Sequence, residues 1–357
     1  KVNPINSMGQ NIWRYNPQRI VYELFAEGGG NAFGLEIDSR ARVYSGHNGG
    51  NTRGFHYIKG AYYQKSWGKH GSLTNEFAYG FFPAMANAQV ERFTHQFIIY
   101  EDHVLPERFH GKLLGVDVLH NNVVMSEIIP SGSTFKTKDI ERFIKSDDPW
   151  FRPVMITDAP DGSVYIADWY DKQVNHYRNH EGQMDKKLGR IYRVRNKDFD
   201  FNKKIDFTKL DQSELLDQLD SNSRLNRRTA FHQLRLRFEF DDLTVDWKDN
   251  PKNATQVNYL INSGLKINLK QINDPGVKGY AIRLLSENSG SNEYFDQFNQ
   301  ISLDENNKEV ISQLISSLQQ IEFIHRGKLI TNLLLRDDLR LDPCIPLQLW
   351  WALEAMV

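Results

Sequence analysis

The side chains best suited to chemistry in this sequence lie between residues 31 and 180. Arg152, in Trp150-Phe151-Arg152-Pro153, carries a planar guanidinium fork that can grip a carboxylate with two parallel hydrogen bonds. Asp147 and Asp148, just before it, offer the plainer alternative of a structural ion pair. His120, in Val118-Leu119-His120-Asn121-Asn122, can titrate near neutral pH or donate to a carbonyl, and it also reads as a turn residue between two strands. Asp168 and Asp171 follow a strand-like run but stand too close in sequence to be assigned as the two facing acids of glycoside hydrolysis. His176 and His180 are four apart, which on a helix would set both imidazoles on one face for a metal ion. Asn and Arg residues around them read as a loop, and no Glu-x-x-His context supports a zinc protease.

Composition narrows the field. The chain has 357 residues, enough for two or three domains, with 40% apolar and 25% charged residues, as in an ordinary globular protein. A formal net charge of -1 supplies no global field for nucleic acid or an anionic membrane. The single cysteine, Cys344, excludes an internal disulfide framework and a Cys-x-x-Cys-His haem attachment within this chain. No apolar run reaches the roughly 18 residues of a membrane span, and no signal peptide is visible. The chain starts at Lys1 and stops in an apolar stretch, Trp350 to Val357, with no helix stop signal, so both ends are expected to be cut.

The elements that must position these side chains change character near residue 200. Before it, short β-branched and aromatic runs alternate with Gly, Asn, Asp and Pro: Asn11–Tyr15, Gly34–Asp38, Lys112–Val118 and Ser163–Asp168 read as strands. Asp161-Gly162 is a hairpin signal, and Gly189-Arg190-Ile191-Tyr192-Arg193-Val194 supplies a further strand. The stretches beginning at Asn31 and at Arg152 form a weak repeat, each a strand, a tight polar turn and a second strand ending in an aromatic residue. Repeats at this spacing predict a partial β-propeller over residues 1–200, of about four blades with N-terminal blades missing; a β-sandwich is the alternative. After the charged stretch Arg195 to Lys204, Leu and Ile recur at helical spacing. Asp274-Pro275 reads as a helix start, with Val277, Ala281, Leu284 and Leu285 on one face. Residues 201–357 are therefore expected to form a HEAT-like α-solenoid, cut at its C-terminus, with an unrelated helical bundle as the alternative.

Three segments carry a resemblance. Asp148-Pro149-Trp150-Phe151-Arg152-Pro153-Val154, then Pro160 to Tyr170, then Gly189 to Val194 resemble the propeller of the PVC-type putative membrane-bound dehydrogenases. More distantly they resemble the glucose/sorbosone dehydrogenase propellers, with NHL- or quinoprotein-like blades. Asp342-Pro343-Cys344 through Glu354 resembles the HEAT region of the same proteins. The resemblance spans nearly the whole chain and is more specific for architecture than for chemistry.

The resemblance implies an exported, periplasmic or extracellular dehydrogenase that oxidises a sugar or alcohol, using pyrroloquinoline quinone and calcium and passing electrons to a cytochrome c. Family members often end in a cytochrome c domain; its Cys-x-x-Cys-His motif is absent from this chain. Cofactor contacts fall by resemblance on Asn31, His120, Arg152 and Asp168, and backbone ligands for calcium on Gly49 and Gly50. Gly30 stands where the relatives have an Arg, and His120 where they have a Lys. The catalytic base is expected in blades upstream of Lys1, with His95 the candidate within the chain. These departures leave a non-catalytic interaction scaffold or a carbohydrate-binding protein as the alternatives.

Overall fold

The computed structural model describes residues 10–17, 19–64, 79–172, 174, 185, 187–198, 205–238, 245–288 and 293–354. The expected strands form. A hairpin pairs β1 (Asn11–Asn16) with β2 (Val21–Glu27). The next sheet runs β3 (Ala32–Ile37), β4 (Val43–His47), β5 (Thr52–Tyr57), β6 (Met85–Ala86). A second four-stranded sheet holds β7 (Phe97–Tyr100), β8 (Lys112–Asp117), β9 (Asn122–Ser131) and β10 (Thr134–Lys145). The last sheet holds β11 (Pro153–Asp158), β12 (Val164–Asp168) and β13 (Arg190–Val194). Asp161-Gly162 makes the turn between β11 and β12, with Gly162 at a φ of 72° that only glycine adopts cheaply.

The propeller expectation is overturned. Four separate antiparallel sheets are present, each an open run of neighbouring strands, and none closes among the described residues. They also differ in size, from a two-residue β6 to a twelve-residue β10. Turn chemistry and alternation specify hairpins because both act locally, whereas ring closure needs strands far apart in sequence to meet. The architecture is a mixed one, four small sheets followed by eight helices, in place of a propeller followed by a HEAT-like solenoid. The coarse division stands: the N-terminal part is β-rich and the C-terminal part helical.

Among the described residues the eight α-helices are α1 (Gln212–Gln218), α2 (Arg224–Arg237), α3 (Ala254–Asn262), α4 (Pro275–Glu287), α5 (Phe295–Asp304), α6 (Lys308–Ser317), α7 (Phe323–Leu334) and α8 (Ile345–Glu354). Side-chain caps start several of them. Asp211 and Glu214 form a reciprocal capping box, and the Asp274 carboxylate accepts from the Val277 N–H with Pro275 in the first turn. Val277, Ala281, Leu285, Ile311, Leu314 and Leu329 contribute to one shared helical core. None of these helices is long and apolar enough to cross a membrane.

Sheets and helices are bolted together. Trp351 of α8 packs edge-on to Tyr62 at 5.0 Å and tilted against Phe82 at 4.8 Å, inside the core of the β3–β6 sheet. Ion pairs cross the same junction: Arg42 to Glu309 at 2.5 Å, Arg40 to Asp274 at 2.7 Å and Lys59 to Glu287 at 2.6 Å. Asp274 thus caps α4 and holds the β3–β4 turn with one carboxylate.

Candidate functional site

In a run of antiparallel strands, the start of the first strand and the end of the second lie at one end of the sheet. Most of the candidate residues sit at such ends: Asn31 before β3, His47 at the end of β4, His95 before β7, His120 after β8, Arg152 before β11 and Asp168 at the end of β12. Neighbouring sheets bring these ends together, since β3 packs against β7, and β7 and β8 pack against β11. The segment Thr94–His95 stitches two sheets directly. His47 N–H donates to the Thr94 carbonyl at 2.8 Å, Thr94 N–H returns to the His47 carbonyl at 3.1 Å, and His95 N–H reaches the Val116 carbonyl at 3.0 Å.

His47 and His95 have a distinctive environment. His95 lies against Phe33 with ring centroids 4.5 Å apart, and Phe93 closes a second side at 5.8 Å. His47 meets Phe55 edge-on at 4.8 Å. The Nδ1 atoms of both imidazoles are buried without a hydrogen-bond partner among the described residues. Burial lowers the pKa of each, outweighing the opposite effect of hydrogen bonds to backbone, at Asn31 and Gly30 for His47 and at Val154 for His95. Both rings are therefore neutral at pH 7 and able to accept a proton or a hydrogen bond. Asn31 holds a φ of 58° in the left-handed region, and its carbonyl takes the Asn48 N–H at 3.1 Å.

Arg152 is committed to the protein itself. It is 7% exposed. Its guanidinium donates to the Asn121 side chain, to the Phe151 carbonyl at 2.9 Å and to the Lys172 carbonyl. Asp168 is equally committed. Its Oδ1 accepts the Arg152 N–H at 2.8 Å and the Tyr170 N–H at 2.9 Å, and its Oδ2 accepts Arg190 Nε at 3.0 Å. Arg190, not Arg152, takes Asp148, at 3.2 Å. His120 is a turn residue whose Nδ1 lies 2.9 Å from Asp117 and whose Nε2 lies 3.6 Å from Glu91. Asp171 is buried, and the Asp185 N–H donates to it. His176 and His180 lie outside the described residues.

Gly49 and Gly50 are explained by packing. A Cβ on Gly49 would come within 2.3 Å of the His47 imidazole, and one on Gly50 within 2.6 Å of the Glu91 carbonyl oxygen. The Gly49 carbonyl already receives the Phe93 N–H at 3.3 Å. Of the residues expected to hold pyrroloquinoline quinone and calcium, Arg152 gives its terminal donors to Asn121, Phe151 and Lys172, and the Gly49 carbonyl accepts one amide.

An aromatic face adjoins the Arg152–Asp168 clamp. Trp169, whose N–H donates to the Arg152 carbonyl at 2.9 Å, is 54% exposed. Beside it, Trp150 and Tyr170 stand 5.7 Å apart, and Arg190 covers the Tyr170 ring at 4.0 Å. Residues 2–198 match the family described as a domain of unknown function, DUF7133. The chain belongs to the DUF7133 family. No curated protein matches the chain, and no solved structure matches it. The strand-end rim of this DUF7133 chain, from Asn31 to Trp169, falls wholly inside the matched residues.

His47 is the rim residue that sequence reasoning passed over. Its only local signal is its place at the end of the run Val43-Tyr44-Ser45-Gly46-His47, two residues before Gly49. What makes it notable, a buried imidazole on a backbone that pairs with Thr94, comes from a segment 47 positions away.

Proposed function

We propose that the strand-end rim binds a polyhydroxylated small molecule, a sugar or a sugar alcohol. The observation that carries this reading is the pair of neutral imidazoles, His47 and His95, whose buried Nδ1 atoms have no hydrogen-bond partner among the described residues. A buried acceptor without a donor costs free energy, which a ligand hydroxyl recovers once the rim opens to admit it. Exposed Trp169 adds an apolar face of the kind on which the C–H side of a sugar ring packs. Titration of the chain with a panel of sugars and polyols, followed by calorimetry and tryptophan fluorescence, tests the proposal. Binding of at least one member is expected, weakened about tenfold or more in His95→Ala and in Trp169→Ala. No heat with any member would set the binding reading aside in favour of an interaction scaffold.

One observation favours a second reading, oxidation of the bound sugar or alcohol. A neutral imidazole such as His95 can take the hydroxyl proton, and a quinone cofactor would have to take the hydride from the carbon and pass the two electrons on. A cytochrome c acceptor and a periplasmic or extracellular location belong to this second reading. Dye reduction in the presence of the bound sugar, lost in His95→Gln, would establish it.

A further inference from the structure

The junction between sheets and helices carries a second feature. Arg224, Arg227 and Arg228 stand in the opening turns of α2, at the i, i+3 and i+4 positions that face one another on a helix. Like charges at this spacing repel, and the amino end of a helix is itself positive. The first turn holds no acidic residue, and the N-cap Ser223 makes no capping hydrogen bond. Such a cluster persists only where anions face it.

The protein supplies part of that charge. Arg224 pairs with Glu36 and, at 2.8 Å, with Asp158. Arg227 donates through Nη1 to the Ser221 and Asn222 carbonyls at 2.6 and 2.8 Å, and its Nη2 lies 3.6 Å from Glu101. Arg228 is exposed and donates to the Ile37 carbonyl at 3.2 Å, with no carboxylate at ion-pair distance among the described residues. Asp38 also faces the cleft, but its oxygens accept the Arg40 and Arg42 N–H groups at 3.0 and 2.9 Å and lie 3.4 Å from the Arg42 guanidinium.

A cavity of about 220 Å³ opens at this cluster, between the β3–β4 turn and the starts of α2 and α3. Ser39, Arg224, Arg227, Arg228, Thr255 and Asn258 line it. Arg224 and Arg227 are only 7% and 5% exposed, yet among the described residues buried Arg224 Nε has no hydrogen-bond acceptor, and buried Arg227 Nη2 has only the Glu101 carboxylate at 3.6 Å. Buried donors left over in a cationic cavity, with a further guanidinium at its edge, describe an oxyanion site.

We infer that this cleft binds a small multivalent oxyanion, a phosphate or carboxylate group, through Arg228 and the donors of Arg224 and Arg227 that make no hydrogen bond within the described protein. The ligand bridges the β-rich and helical parts, since Ser39 lies on one and Thr255 on the other. The volume admits a group larger than a bare phosphate.

Calorimetry on the full chain tests this with sodium phosphate and sodium citrate in separate arms, against sodium chloride at equal ionic strength. Saturable heat with phosphate alone identifies a phosphate site, with citrate alone a carboxylate site, and with both a general oxyanion site. Thermal melts in the binding arm should rise by about 2–5 °C over chloride. Arg228→Gln should weaken binding about tenfold while moving the unliganded melting temperature by about 1 °C or less, because Arg228 is exposed. Arg228→Lys should restore part of the affinity. Heats equal to chloride in both arms, or Arg228→Gln binding as the parent does, would overturn the inference.

Discussion

Two regions of this molecule gather buried polar side chains, and they use them in opposite ways. At the strand-end rim, Arg152 and Asp168 spend most of their hydrogen bonds on nearby backbone and side chains, and what is left over among the described residues is the Arg152 Nε donor beside a pair of neutral imidazole acceptors. At the sheet–helix junction, arginines from both parts reach carboxylates on the other, and what is left over is guanidinium donors. The rim is an acceptor surface presented by sheets; the junction is a cationic clamp that fixes sheets to helices. Recurring residue types therefore indicate little by themselves. Their leftover hydrogen-bonding capacity decides which ligand each region can take.

The comparison breaks most sharply at Arg224. Arg224→Met leaves buried Glu36 and half-buried Asp158 without their cation, a loss of about 3–5 kcal/mol by analogy with other broken buried pairs. Chemical denaturation should show it as a lowered midpoint. An unchanged midpoint would show that the clamp does not hold the two parts together.

A smaller effect is expected at the rim. Gly49→Ala drives a methyl group into the His47 ring, an overpacking cost of about 1–3 kcal/mol. The imidazole resonances of His47 should shift in the same variant. Stability and spectra like the parent's would mean that the loop yields freely and that the rim is not preorganised.

The smallest effect separates the regions by pH. Burial raises Glu36 to about 7 and Asp38 to about 6, so the native state binds protons more tightly than the unfolded chain there. These junction acids add stability as pH falls from about 7 toward the ordinary carboxylate range. Burial lowers His47 and His95, so the unfolded chain binds protons more tightly, and their contribution, complete above the ordinary histidine value, is lost as pH falls through their native values. Between pH 7.5 and 5.5 the two regions oppose each other. Glu36→Gln should make the melting temperature fall more steeply on acidification, and His95→Gln should make it fall less. Parallel slopes in both variants would contradict the assignment of the two signs.

Local pattern carried much of this structure. Ser163–Asp168 became β12, Asp161-Gly162 its turn, and Asp274-Pro275 the capped start of α4, because strand alternation, turn chemistry and helix capping each act over a few residues. Assembly was not legible. Thr94 bridges to His47, Arg53 reaches across to Asp139, and Arg152 finds its acceptors at Asn121 and Lys172, all through contacts distant in sequence. The propeller expectation failed at that level, with the right strands in the wrong assembly. The site followed suit. Arg152 and Asp168 were found as notable residues, but the fate of their hydrogen bonds could be read only from the fold.

The central claim, that neutral His47 and His95 form the acceptor surface for a hydroxylated ligand, can be tested by nitrogen-15 NMR of the imidazole side chains at pH 7. The account predicts neutral rings whose Nδ1 resonances move on addition of a binding sugar or polyol. Protonated rings at pH 7, or Nδ1 resonances that stay fixed while the ligand binds, would contradict it.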